Sequence, residues 1–97
     1  MPAAPPRRDG AWRLMRETVL IVDPDTESQR AMRDVLKAGR YRTIAAAEFK
    51  GATALLESVQ PALLITAIRL GEFNGLHLVV LGRASCPRMA ALVLDDP

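Results

Sequence analysis

The sequence predicts an α/β fold, in which a parallel sheet is covered by helices on both faces. Short runs of aliphatic and β-branched residues alternate along the chain with segments whose apolar residues recur at helical spacing, in the order βαβαβαβ. Apolar residues make up 49% of the chain but aromatic residues only 4%, so the core must be aliphatic, as in sheets buried on both sides. A chain of 97 residues has room for one such domain.

The first 17 residues are predicted to form a disordered basic leader that precedes the domain at residues 18–97. They contain three prolines and four arginines against two acidic residues, and the first ten show no apolar periodicity. Trp12, Leu14 and Met15 leave open a short helical turn that rests on the domain. From Thr18 onward nine basic residues balance nine acidic ones, and a weakly basic tail on a neutral domain argues against nucleic-acid binding.

The first strand is the compact apolar run TVLIV at residues 18–22, which an Asp-Pro-Asp turn closes. A helix is expected to follow, capped by Asp25 or by Thr26, the threonine through a capping box with Gln29. Gly39 is expected to end this helix in the left-handed conformation. Its inward stripe has the spacing i, i+3, i+4 and consists of Met32, Val35 and Leu36.

The second strand, at residues 41–48, has the weakest strand signal and is therefore expected at an edge of the sheet. The helix that follows, at residues 49–60, has a clean apolar period and is ended by Pro61. Its inward face is predicted to consist of Ala52, Leu55, Leu56 and Val59.

The third strand, at residues 61–68, is expected in the middle of the sheet because its apolar run is unbroken. A loop between Gly71 and Gly75 leads into a third helix at residues 76–83. A fourth strand is predicted from Met89 to Leu94. The inward face of the third helix is predicted to consist of Leu76, Val79 and Val80.

The sequence lacks the residues that several functional classes of protein usually require. The single Cys86 cannot form an internal disulfide, so a reducing, cytoplasmic setting is expected. No window combines Cys and His at metal-ligand spacing, and His77 is therefore expected to be a surface histidine. No apolar run approaches the roughly 20 residues of a membrane span, and the N-terminus lacks the apolar segment of a signal peptide.

Two motifs carry a resemblance to a known family: VLIVDPD, which includes the first strand, and ITAIRLGEFNGL in the middle of the chain. Over roughly residues 18–97 the sequence resembles the receiver domain of bacterial response regulators. The resemblance implies a flavodoxin-like fold with strand order 2-1-3-4-5. About four strands and three helices are expected here, with the fifth strand absent.

The resemblance also implies which residues of this chain occupy the positions of the family's phosphoryl site. An active receiver takes a phosphoryl group on the carboxylate that ends its third strand, beside Mg²⁺ held by that carboxylate and an acidic pair after the first strand. The corresponding residues here are Ala67 at the acceptor position and Asp23 with Pro24 at the acidic pair, Asp25 being one place late. Asp95 falls where receivers usually carry Ser or Thr. The resemblance therefore implies no catalytic residue, a remnant acidic pocket of Asp23, Asp25 and Asp95, and Mg²⁺ binding that is lost or weak.

These substitutions favour a pseudo-receiver, a docking module of a two-component phosphorelay that has no phosphoacceptor of its own and is not an enzyme. Its expected partner is a histidine kinase or an effector, and its expected docking surface consists of Leu76, Val79, Val80 and Arg83. A receiver remnant without activity remains an alternative. Without a fifth strand, residues 89–94 would form an uncharged sheet edge that is available for self-association.

A competing interpretation starts from Asp23 and Asp25, which form a D-x-D motif after a buried strand. This motif resembles that of haloacid-dehalogenase-type phosphatases, where one Asp attacks phosphorus and the next acts as acid or base. Asp95 and Asp96 would then supply the Mg²⁺ site. Against it, Glu27 stands where that motif prefers Thr or Val, and 97 residues leave little room for the usual cap domain.

Overall fold

The computed structural model describes residues 18–95, so the predicted leader at residues 1–17 and the last two residues lie outside the described residues. Within this range the chain forms six strands and three helices. They are β1 (Thr18–Val22), α1 (Thr26–Ala38), β2 (Arg42–Ala46), α2 (Phe49–Val59), β3 (Leu63–Ala67), β4 (Arg69–Leu70), β5 (Phe73–Asn74), α3 (Gly75–Ser85) and β6 (Ala90–Leu94).

Four of the strands form one parallel sheet in the order β2-β1-β3-β6. The predicted α/β class is confirmed, and so are the edge position of the second strand and the edge position of the last strand. The register places Val22 beside Ala46 and Thr66, and Thr66 beside Val93. The carboxyl ends of β1, β3 and β6 therefore meet at one end of the sheet, where open α/β sheets place their functional groups.

Alternate residues of the strands point to opposite faces of the sheet and build two apolar clusters. Leu20, Val22 and Leu64 face α2 and α3. Val19, Ile21 and Ile65 face α1 through Met32 and Leu36. The core is aliphatic, as the composition predicts, because these strands are covered on both sides.

Helix α1 covers only part of its face of the sheet. Val35, predicted to point inward, is 72% exposed, and Leu92 of β6 is 51% exposed on the same side. The prediction for Val35 is wrong because Met32 and Leu36 fill the contact with the sheet. Val35 instead borders an apolar groove between α1 and β6.

The ends of α1 also differ from the predictions. Asp25, and not Thr26, is the cap, and its Oδ1 accepts a hydrogen bond from the Glu27 backbone N–H at 3.0 Å. Gln29 does not complete a capping box, because its Nε2 donates to the backbone oxygen of Asp23 at 2.6 Å and to that of Ala46 at 3.1 Å. Gln29 therefore joins the start of α1 to the ends of β1 and β2.

The left-handed residue at the end of α1 is Arg40, with φ 70°, whereas Gly39 has φ −85°. The Arg40 N–H donates to the Lys37 carbonyl at 2.9 Å, and the Tyr41 N–H donates to the Leu36 carbonyl at 3.0 Å. These two bonds are those of a Schellman motif, which satisfies the last free carbonyls of a helix. The helix thus ends one residue later than the glycine suggests.

The buried residues of α3 are Gly75, Leu78 and Gly82, and of the predicted Leu76, Val79 and Val80 only Val79 packs against the core. Leu76 and Val80 are exposed, and Val79 is half-buried. A side chain at Gly82 would meet the Met89 side chain and Leu56 Cδ2, so the glycine lets α3 lie close to α2 and to the core. The small residues are the reason why the helix packs on a face that apolar size alone does not identify.

The predicted loop between Gly71 and Gly75 contains a small antiparallel hairpin of β4 and β5. The exposed ring of Phe73 stacks on Phe49 with 4.4 Å between centroids, and His77 lies 5.5 Å from the Phe49 ring. This contact fixes the hairpin on the start of α2. None of the helices within residues 18–95 has the length and apolarity that a membrane crossing requires.

Candidate functional site

The carboxyl ends of β1, β3 and β6 surround a cavity of about 310 Å³. The structure brings the predicted site residues Asp23, Asp25, Ala67 and Asp95 together around it. Its remaining lining is Ser28, Ala31, Met32 and Leu94. Three aspartates and Ala67 therefore line a shared space.

Two of the carboxylates also hold the turn between β1 and α1. Oδ1 of Asp23 accepts a hydrogen bond from the Asp25 N–H at 2.9 Å. Oδ1 of Asp25 accepts from the Glu27 N–H at 3.0 Å, and its Oδ2 accepts from the Ser28 hydroxyl at 3.2 Å. Both oxygens of Asp25 are thus used to cap α1. This role does not favour the phosphatase alternative, in which Asp25 would move a proton.

The third strand ends at this cavity with Ala67, whose side chain has no oxygen or nitrogen atom. The Thr66 hydroxyl donates to the Ala67 backbone oxygen at 2.9 Å, and that oxygen also lies close to Gly75. The Gly75 N–H donates to the Ile68 backbone oxygen at 2.8 Å. The start of α3 therefore packs closely on the end of β3. Ala67 at this end lines the cavity.

Comparisons with solved structures give close matches to the fold. A response regulator receiver protein from Pseudomonas putida matches with a TM-score of 0.73 and 27% identity, over 84% of this chain and 70% of that chain. A mutant of the response regulator MaeR bound to sulfate matches with a TM-score of 0.72 and 25% identity, over 84% of this chain and 69% of that chain. The chain therefore has the fold of response regulator receiver domains.

A more distant match supports the fold alone. It is a response regulator from Burkholderia pseudomallei with a phosphorylated aspartic acid, a calcium ion and citrate, which is 20% identical to this chain and has a TM-score of 0.76. The match covers 81% of this chain and 46% of that chain. No family model matches the sequence, and no curated protein matches it.

Pro24 stands where the resemblance implies the second residue of the family's acidic pair. Pro24 lines a neighbouring cleft with Phe49 and Phe73 and does not line the acidic cavity. Among residues 18–95, no three His, Cys, Asp or Glu side chains come close enough together to hold a metal ion. A divalent cation such as Mg²⁺ needs several converging oxygen ligands. The described residues thus contain no such cluster of three ligand side chains.

The predicted docking residues lie on α3, on the other side of the sheet from α1. Leu76 and Val80 are 51% and 67% exposed, whereas Val79 packs against the core. Arg83 is exposed, and its Nε donates to the Met89 backbone oxygen at 3.1 Å. The outer face of α3 thus presents two apolar side chains next to a positive charge.

Sequence reasoning missed two members of this surface. Phe73 and Leu81 are 52% and 38% exposed. The signal for Phe73 is its place directly before α3, in β5, three and seven residues before Leu76 and Val80. We call Phe73, Leu76 and Val80 the α3 stripe.

A second cavity of about 780 Å³ lies at the amino ends of the strands. Its lining includes Tyr41, Cys86 and Arg88 but no carboxylate. It is therefore larger than the acidic cavity but is not lined by any of the predicted site residues.

Proposed function

We propose that this receiver domain is a pseudo-receiver, a protein-docking module of a two-component pathway without a phosphoacceptor of its own. The observation that carries the proposal is the methyl group of Ala67 at the end of β3, on the wall of the acidic cavity. Phosphoryl transfer to a protein needs a nucleophilic oxygen or nitrogen at the point of attack. The acceptor position provides none.

The loss of Mg²⁺ binding is part of the same proposal. Asp25 uses both carboxylate oxygens to cap α1, and Pro24 faces the neighbouring cleft. Asp23 is left to act with Asp95, which is exposed and lines the same cavity. With few oxygen ligands available, Mg²⁺ binding is expected to be lost or weak, and the domain is not expected to act as an enzyme.

The α3 stripe and Arg83 supply the proposed docking surface. Exposed apolar side chains that lie together are uncommon on a small domain and often mark protein contacts. The expected partner is a histidine kinase or an effector of the pathway. The expected compartment is the cytoplasm, where a lone unpaired cysteine such as Cys86 is usual.

The absence of a phosphoacceptor is tested by incubation with acetyl phosphate over a wide range of Mg²⁺ concentrations. We expect the intact mass to stay unchanged, because position 67 offers no nucleophile. A receiver that carries aspartate at the acceptor position serves as the positive control in the same reaction. Incorporation of one phosphoryl group that hydroxylamine removes would contradict the proposal, because it would show an acyl phosphate on another carboxylate.

The docking surface is tested with the Val80→Asp variant. The measurement is the affinity of this variant for a purified histidine kinase that binds the unchanged chain. We expect affinity to fall about tenfold or more, because a charge replaces an apolar contact at the centre of the surface. Val35→Asp is the matched control, since Val35 is equally apolar and 72% exposed but lies on the opposite face of the sheet. Equal affinities for the two variants would place the contact elsewhere.

A further inference from the structure

Basic side chains are unevenly distributed over the domain. Five of the nine basic residues that follow Thr18 lie within residues 30–42, a segment that contains a single acidic residue, Asp34. This segment comprises most of α1, the turn after it and the start of β2. Equal numbers of acidic and basic residues argue against nucleic-acid binding only if the charges are mixed, and in the folded domain they are not.

Three of these cations lie along one face of α1. Arg30, Arg33 and Lys37 have the spacing i, i+3 and i+7, which places them on one side of a helix over about 10 Å. They line one cavity of about 310 Å³. The Nε of half-buried Arg33 donates to Thr43 Oγ1 at 3.4 Å, and this bond holds the guanidinium group against β2.

The next cation has an unusual backbone conformation. Arg40, with φ 70°, is the left-handed residue at the end of α1, although Gly39 lies one position earlier and has φ −85°. Glycine is the residue that most often takes the left-handed position at a helix end, because side chains with a Cβ are strained there. An arginine therefore occupies a position that favours glycine. Strained residues of this kind cluster at sites that bind ligands.

Tyr41 adds an aromatic ring next to these cations. It lies between Arg40 and Arg42 and is 41% exposed. Within residues 30–42 the other exposed large apolar residue is Val35, which borders the groove between α1 and β6. Protein–protein interfaces have an apolar centre that is depleted in charge, whereas interfaces with nucleic acid are polar and rich in basic groups. The composition of this surface is of the second kind.

We propose that Arg30, Arg33, Lys37 and Arg40 bind the phosphate backbone of a single-stranded nucleic acid, and that a base stacks on Tyr41. We call these five residues the α1 basic face. Basic groups that follow the backbone, together with an aromatic ring on which a base stacks, are the features of proteins that bind single strands without sequence preference. The inference depends neither on the acidic cavity nor on the α3 stripe.

The α1 basic face lies at the β2 edge of the sheet, opposite the edge formed by β6. The register places Arg42 beside Thr18, where residues 1–17 join the domain. Those residues contain four arginines and Trp12. The segment that precedes the domain therefore adds further positive charge from a point next to Arg42.

Binding of a labelled single strand of about 20 nucleotides to the full 97-residue chain, measured by fluorescence anisotropy, tests the proposal. We expect the logarithm of the association constant to fall by about 3 or more for a tenfold increase in salt. The reason is that a single strand releases about 0.7 counterion for each phosphate that a cation neutralises, and the face has four cations. No binding at low salt, or an affinity that does not depend on salt, would overturn the proposal.

A single substitution assigns the binding to this face. We expect Lys37→Gln to weaken binding about threefold and to reduce the salt dependence by about 0.7, because one phosphate contact is lost. Lys50→Gln is the matched control, since Lys50 is also exposed but lies at the start of α2. Equal effects of the two variants would show that the strand does not bind at the α1 basic face.

Arg40→Gly separates binding from folding. Glycine removes the strain of the left-handed conformation together with the charge. We therefore expect the midpoint of urea unfolding to rise while the affinity for the single strand falls about threefold. A stabilised variant that binds the strand as tightly as the unchanged chain would contradict the proposal.

A polyglutamate peptide that carries the same number of charges as the strand tests the class of the bound polyanion. We expect the single strand to bind more tightly than the peptide, because its bases stack on Tyr41, and we expect Tyr41→Leu to remove most of this difference. Equal or tighter binding of polyglutamate to the unchanged chain would assign the surface to an acidic protein segment and overturn the proposal.

Discussion

Gly75→Ala is expected to destabilise the domain by about 3 kcal/mol, at the upper end of the cost of overfilling a packed site. A Cβ at this position would meet the backbone oxygen of Ala67 and would lie 2.8 Å from Thr66 Oγ1. Backbone atoms of a central strand cannot move aside as a flexible side chain can. The free energy of unfolding, measured by urea titration, checks this expectation.

Gly51→Ala is the matched control for this prediction, because it makes the same change in another helix. A Cβ at position 51 would meet only Ala46 Cβ, at an ordinary 3.9 Å. Since glycine is a poor residue inside a helix, we expect this variant to gain about 0.5 to 1 kcal/mol of stability. If the two variants changed stability in the same direction, the close approach of α3 to the end of β3 would not be what requires Gly75.

The sheet could be predicted from the sequence because its strands are continuous apolar runs. TVLIV at residues 18–22 and LLITA at residues 63–67 have few alternatives to a buried strand. The order of the strands follows from the resemblance to receivers and from the weak signal of residues 42–46, which suits an edge. Periodicity also located all three helices to within about two residues.

The buried faces of the helices could not be predicted equally well. A pattern of large apolar residues does not show where a glycine packs against the core. Helix α3 packs through Gly75 and Gly82, which allow close approach, and this turns Leu76 and Val80 outward. In α1, Val35 has the spacing of an inward residue, but the part of the sheet that it faces is not covered. In both helices, contacts distant in sequence decide which residues are buried.

The residues of the acidic cavity could be predicted in part from the sequence. The ends of parallel strands meet at one place, so Asp23, Ala67 and Asp95 were expected near one another. The hydrogen bonds of Asp25 and the direction of Pro24 depend on the geometry of the turn, which spacing alone does not give. Gln29, which joins β1 and β2 to α1, had no sequence signal other than its place in a supposed capping box.

Ala67→Asp is expected to destabilise the domain by about 1 to 2 kcal/mol at neutral pH relative to Ala67→Asn. The new carboxylate would join those of Asp23, Asp25 and Asp95 around one cavity, where like charges repel. Asparagine has nearly the same shape without the charge, so it controls for the added volume. Urea unfolding at several pH values measures the difference between the two variants.

The sign of the pH dependence follows from the repulsion. At acid pH the introduced carboxyl group is uncharged, as asparagine is, so the difference between Ala67→Asp and Ala67→Asn should disappear. As the pH rises and the introduced group ionises, only the folded domain holds its charge close to the other carboxylates, and the aspartate variant should lose stability. Equal stabilities at neutral pH would show that the four side chains do not share the cavity.

The same variant separates the proposed role of position 67 from the proposed loss of Mg²⁺ binding. Ala67→Asp restores a carboxylate at the acceptor position, but Pro24 has no ligand oxygen in its side chain and Asp25 remains bound in the cap of α1. We therefore expect acetyl phosphate to label this variant poorly even with Mg²⁺, as measured by intact mass. Efficient Mg²⁺-dependent labelling would mean that Asp23 and Asp25 suffice to hold the cation. The proposed inactivity of the site would then rest on the single residue Ala67, and the proposal that Mg²⁺ binding is lost would be wrong.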